Sequence, residues 1–247
     1  MYKSILENDS DLSKKIESQW DKLANIRNNQ QRYLHDETYE NYLKPTILDL
    51  LKKSDLSHVL DLGCGNGYLT EFIAKQAKRV TGIDISHENI KIAKKNNQLG
   101  NLTYFKIDAF DYLINNKNKF STIVASMFLQ DCANFKDISY LIYDNLNKSG
   151  KFILTITHPC YWPRYWGYEN EDWFSYGKEL IIEGNFKISS IPEPLSETIH
   201  FHRPLEMYLD VFKNAGFILD DLIEIQPNHT NTNFKYPRFL AIQYIKS

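Results

Sequence analysis

Val59-Leu60-Asp61-Leu62-Gly63-Cys64-Gly65-Asn66-Gly67 decides the fold. An apolar strand runs into three glycines at alternate positions and then into the helical pattern Tyr68–Ala77. Glycine there permits a tight turn and lets a ligand approach the backbone closely. The dinucleotide fingerprint needs a third glycine where this chain has Tyr68, and the Gly-Lys-Ser/Thr of a P-loop is absent. Short apolar runs then alternate with helical patterns. Strands are expected at His58–Leu62, Arg79–Asp84, Leu102–Ile107, Phe120–Ser126 and Lys151–Thr157, with helices at His87–Gln98 and Phe135–Leu146. Such alternation implies right-handed βαβ crossovers and a parallel sheet.

Asp61 stands two residues before the first glycine, where a carboxylate repels a pyrophosphate but suits a cation. Asp84 ends the second strand, 17 residues past Gly67, and is placed to take two ribose hydroxyls. Asp108 follows the third strand, where a carboxylate can accept the adenine amino group. Together they point to a cationic adenosine ligand without a phosphate. In the order and spacing of these motifs, residues 58–157 resemble the class I S-adenosylmethionine-dependent methyltransferases. The resemblance implies S-adenosylmethionine as cofactor. It implies that the glycine loop (Asp61, Gly63, Gly65, Gly67) passes under the methionine part, that Asp84 binds ribose and that Asp108 contacts adenine. Their neighbours Cys64, Asn66, Ile85, Ala109 and Phe110 complete the expected cofactor contacts, Cys64 as loop packing rather than a nucleophile. Ser126 and Met127, ending the fourth strand, are expected at the sulfonium, with core packing an alternative for Met127.

The acceptor should sit outside the carboxyl ends of the fourth and fifth strands. The Asn/Asp-Pro-Pro-Tyr/Phe stretch of nucleobase amine methyltransferases is absent after the fourth. His158, in Thr157-His158-Pro159-Cys160-Tyr161, is a candidate general base, or else only hydrogen-bonds the strand end. Residues 158–202 carry 10 of the 34 aromatic residues, among them Tyr161, Trp162, Trp166 and Trp173. So many rings fit either a lid over the substrate, a satellite core or an interface. Gly184-Asn185 is expected to turn a short hairpin. Phe201-His202-Arg203-Pro204-Leu205 resembles a Tyr/Phe-His-Arg-Pro-Leu stretch of a small-molecule methyltransferase subgroup, which implies that His202 and Arg203 face the site. Arg203 there suits a substrate carboxylate, or closes the start of the helix 203–215 against the lid. Amphipathic helices are expected over 9–30 and 36–53; the resemblance implies that the N-terminal segment covers the cofactor, with Trp20, Arg32 and Tyr33 as candidates to contribute.

The fold class expected is α/β: a Rossmann-like, seven-stranded, mostly parallel sheet with an antiparallel last strand. The 247 residues read as a single domain: a helical N-terminal cover (1–53), a cofactor-binding core (54–157), an aromatic insertion (158–202) and a final helix and strand pair (203–247). With 29 Lys+Arg against 31 Asp+Glu, the chain lacks the basic excess of nucleic-acid binders. It has no apolar run of membrane-spanning length and no apolar signal core at its N-terminus. Three scattered cysteines fit neither a disulfide framework nor a metal site. A cytoplasmic monomer or homodimer is expected. It would transfer a methyl group to an O or N atom of a small aromatic or heterocyclic metabolite. The alternatives are an RNA or protein methyltransferase and an inactive cofactor-binding scaffold.

Overall fold

The computed structural model describes residues 2–5, 12–33, 36–188, 191–227 and 234–247. In chain order the elements are β1 (Lys3–Ile5), α1 (Leu12–Arg32), a π-helical turn (Tyr39–Leu43) leading into α2 (Lys44–Leu51), β2 (Val59–Leu62), α3 (Tyr68–Ala74), β3 (Val80–Asp84) and α4 (His87–Asn96). Then come β4 (Leu102–Lys106), α5 (Ala109–Asn115), β5 (Phe120–Ser126), a 3-10 turn (Leu129–Asp131), α6 (Phe135–Asn145), β6 (Leu146–Thr157) and α7 (Trp162–Trp166). The chain closes with β7 (Leu180–Ile188), β8 (Ile191–His202), α8 (Leu205–Asn214), β9 (Phe217–Ile225) and β10 (Phe239–Lys246).

Seven strands form one sheet in the order β4-β3-β2-β5-β6-β10-β9. β2 to β6 pair in parallel, and β10 inserts antiparallel to both β6 and β9. Covered on both faces, β2 and β5 are buried nearly throughout, as central parallel strands are. One core packs Phe135, Phe152, Phe212 and Tyr244 on one face, and another packs Ile47, Leu51, Leu69 and Ile73 on the other. Pro45, which lacks the N–H that an uninterrupted helix needs, starts α2 behind the widened π turn, where Lys44 N donates to Tyr39 O.

The insertion departs from expectation. Gly184-Asn185 is not a turn: β7 runs straight through it, with Gly184 opposite Thr198 and Asn185 opposite Glu197 on β8. Glycine is required there for packing, since a Cβ would lie 2.0 Å from Cδ1 of Tyr2, whose hydroxyl donates to Asn185 O. β1 pairs antiparallel with β7, completing a three-stranded sheet β1-β7-β8 that packs on α1. Of the insertion's rings, Trp162, Tyr165, Trp166 and Phe186 lie over the carboxyl ends of the large sheet's parallel strands.

Candidate active site

Beyond the carboxyl ends of β2 to β6 lies a cavity of about 290 Å³. The β2–α3 turn forms its floor. Gly63 has φ +68°, and a Cβ there would meet Cδ2 of Phe128 at 2.5 Å, so only glycine fits between the turn and that ring. Gly65 N donates to Asp84 Oδ2 (2.9 Å), and Ser86 N donates to Asp84 Oδ1 (2.8 Å), which fixes that carboxylate at the end of β3. Asp61 accepts from Thr70 Oγ1 at 2.7 Å. Asp108 caps α5, accepting from Phe110 N at 2.8 Å, which gives α5 a start that apolar periodicity alone does not signal.

Three carboxylates thus share one wall. Burial pushes the Asp61 carboxyl up to about 7, against the Thr70 hydrogen bond that favours the anion, and nearby Asp84 adds to the rise. Burial also raises Asp84, opposed by the N–H groups of Ser86 and Gly65. A wall that is costly to charge when empty is stabilised by a cation. S-adenosylmethionine, with its sulfonium and ammonium and without phosphate, fits that chemistry.

Of the residues expected at the cofactor, Asp61, Gly63, Cys64, Gly65, Asn66 and Asp84 line the cavity. So do Ile85, Asp108, Ala109, Ser126 and Met127. Gly67 and Phe110 do not: Gly67 caps α3 at φ +76°, and Phe110 packs against the main core. Burial pushes the Cys64 thiol well up, consistent with a packing role. Met127 takes a left-handed φ of +54°, held by Met127 N donating to Thr155 O and by Gln130 Nε2 donating to Met127 O. This turn brings Ser126, Met127 and Phe128 together to the wall. From α1, Trp20 also lines the cavity, whereas Arg32 is paired with Glu71 and Tyr33 is exposed.

The acceptor residues divide. Trp162 and Trp166 line the cavity, with ring centroids 5.0 Å apart. Tyr161 is not on the wall but stacks between His158 and Tyr236. His158 also lies off the wall, and both its ring nitrogens are engaged. Nδ1 accepts from Cys160 N (3.3 Å), which leaves Nε2 to donate to Glu224 Oε1 (3.0 Å). Burial lowers its pKa, with Glu224 opposing. It fastens the end of β6 to β9 and offers an acceptor no free nitrogen.

Arg203 is likewise consumed. Its Nη1 and Nη2 donate to Leu129 O (2.8 Å) and Cys132 O (2.6 Å), Nε pairs with Glu179, and Phe135 and Phe201 cover its two sides. It holds the turn after β5 in place. His202 Nε2 meets Tyr176 O at 2.9 Å, also off the wall.

Sequence reading missed His200 and Arg238, both on the wall. His200 Nε2 lies 3.3 Å from Tyr168 Oη, its Nδ1 has no partner among the described residues, and burial pushes its pKa down to about 3. The available signal for Arg238 was a charged residue opening an apolar strand, Arg238-Phe239-Leu240-Ala241-Ile242.

Comparison with known proteins agrees with this geometry. The family described as "Methyltransferase domain" matches residues 53–193. A ubiquinone biosynthesis O-methyltransferase of Shewanella pealeana is 24% identical over 208 residues, covering 83% of this chain and 80% of that protein. A crystal structure from Listeria monocytogenes superposes with a TM-score of 0.66 at 26% identity, covering 81% of this chain and 97% of the other. The N-methyltransferase NodS of Bradyrhizobium japonicum, in complex with S-adenosylhomocysteine, superposes with a TM-score of 0.64 at 15% identity, over 96% of this chain and 99% of the other. The chain therefore belongs to the S-adenosylmethionine-dependent methyltransferases, in the family of that methyltransferase domain. Among the described residues no helix is long and apolar enough to cross a membrane.

Proposed function

We propose that the protein methylates an oxygen or nitrogen atom of a small, ring-bearing metabolite. One observation carries this reading: the cavity lined by the three carboxylates is also lined by Trp162, Tyr165, Trp166 and Phe239. Planar side chains of this kind hold planar ligands, and a cavity of about 290 Å³ suits a small acceptor better than a polymer. An O-methyltransferase and an N-methyltransferase among the similar proteins are compatible with either accepting atom.

In this reading Asp84 accepts from the ribose hydroxyls, Asp108 faces the adenine, and Asp61 with Gly63–Asn66 holds the methionine part. When bound, S-adenosylmethionine supplies an electrophilic methyl group on a sulfonium. Ser126 and Met127 flank that position, and the tryptophans exclude water and hold the acceptor in line with it. Where the acceptor must lose a proton, His200 takes the part first assigned to His158. Its imidazole is neutral at ordinary pH and its Nδ1 has no partner among the described residues; an anionic acceptor bound beside it would raise its basicity.

The test is calorimetric titration with S-adenosylmethionine and S-adenosylhomocysteine, followed by a screen of small phenols and heterocyclic amines with methyl-labelled cofactor. Cofactor binding plus label transfer to such a compound supports the proposal. Label appearing only in RNA or protein added to the same assay would sink it.

A further inference from the structure

Six arginines occur in the chain. Arg27, Arg32, Arg164 and Arg203 each meet a carboxylate, of Asp36, Glu71, Glu169 and Glu179 respectively. Arg79 meets His58 Nδ1. Arg238 differs: it is 3% exposed, it lines the cavity, and among the described residues it makes no ion pair. Nη1 donates to Tyr165 Oη (2.7 Å) and Nη2 to Thr38 Oγ1 (3.1 Å), while Nε has no partner among the described residues. A guanidinium is a permanent cation with five N–H donors, of which these bonds use two. Burying such a charge against hydroxyls and ring faces alone is costly unless an anion completes it.

The backbone holds Arg238 in place. Its N donates to Ile225 O (3.0 Å) and its O accepts from His158 N (2.8 Å), tying it between the ends of β9 and β6. The sheet order sets its neighbourhood. The glycine loop follows β2, and β10 lies three strands away, beyond β5 and β6, on the side opposite β3 and β4. At the usual strand spacing that is about 14 Å from the cofactor loop. Tyr165 and Phe239 flank the guanidinium, at 4.9 Å and 5.5 Å from its carbon, and Trp162 packs on both. The free Nδ1 of His200 belongs to the same aromatic wall, since Trp166 bridges His200 and Trp162.

We infer that Arg238 is the counter-ion for a carboxylate or related oxyanion on the methyl acceptor, so that the substrates are small ring-bearing acids. The inference rests on the small-molecule methyl transfer proposed above and narrows its substrate class. It also reassigns the carboxylate recognition expected of Arg203, whose donors are spent on the protein, to an arginine with only two of its five donors used among the described residues.

The test uses the full chain saturated with S-adenosylhomocysteine and titrated with benzoate or with benzyl alcohol as matched probes. Benzoate is expected to bind at least about tenfold more tightly, the range of a charge-assisted contact. Arg238→Gln should erase that preference while S-adenosylhomocysteine affinity changes by less than about twofold, and Arg238→Lys should keep part of it. The wild-type comparison needs no variant, so it decides even if Arg238→Gln fails to fold. Equal binding of the two probes, or no binding of benzoate, overturns the inference and leaves the methyltransferase reading intact. It is also overturned if Arg238→Gln weakens S-adenosylhomocysteine binding and spares the benzoate preference, because the cofactor's own carboxylate would then be the partner. Failure of S-adenosylhomocysteine to bind the wild type would bring down the proposed function as well.

Discussion

The two walls of the cavity are assembled from different ranges of sequence. On the cofactor side, Asp61, Asp84 and Asp108 lie at or just past the ends of successive parallel strands, and the hydrogen bond that joins the glycine loop to Asp84 spans only 19 positions. On the acceptor side, the bond from Arg238 to Thr38 spans 200, and the neighbouring groups come from α7, β8 and β10. The first wall is acidic and needs a cation; the second is aromatic and carries a cation of its own. A parallel sheet brings its strand ends to one edge by topology alone, so local motifs suffice to build the first wall. The second exists only when the insertion and both termini have docked.

This contrast can be broken or sharpened by substitutions that should each disturb one wall. Asp84→Ala should have the largest effect, lowering cofactor affinity by about 100-fold through the loss of charge-assisted hydrogen bonds, as read by calorimetry. Next, His200→Gln should lower kcat by about 30-fold on a hydroxyl acceptor, a modest case of lost base catalysis. His158→Gln should lower kcat by less than about threefold, its effect falling on Tm through the lost Glu224 contact. Equal losses in kcat from the two histidines would return His158 to the site. Trp166→Ala should raise the acceptor KM by about tenfold and leave cofactor affinity alone.

The smallest effect is on stability. Because burial raises Asp61 above its unfolded value, the folded state binds the extra proton, and stability falls as pH rises from about 4 to about 7. Asp61→Asn removes that loss, so Tm should rise by a few degrees at pH 8 and stay unchanged near pH 4. Cofactor binding should weaken in the same variant, and wild-type affinity for the cationic cofactor should increase between pH 6 and pH 8.

The parallel sheet and the residues of the acidic wall were legible because strand ends, glycines and acids announce themselves within a few residues. Gly184 misled because glycine marks both turns and close packing, and only the docked ring of Tyr2 tells which applies. His158 and Arg203 were legible as important but not in direction. One ties β6 to β9 and the other grips the carbonyls after β5, while neither faces the cavity. Arg238 was illegible for the converse reason, since its meaning lies in a partner it lacks. The pairing of residues 3–5 with β7 could not be read either, as it joins strands far apart in the chain.

The most direct test of the division into two walls is a parallel titration of S-adenosylmethionine, then benzoate, into the wild type, Asp84→Ala and Arg238→Gln. The expected result is that Asp84→Ala loses the cofactor, whereas Arg238→Gln keeps it and loses the acid. Comparable loss of the cofactor in both variants, or in neither, would contradict it.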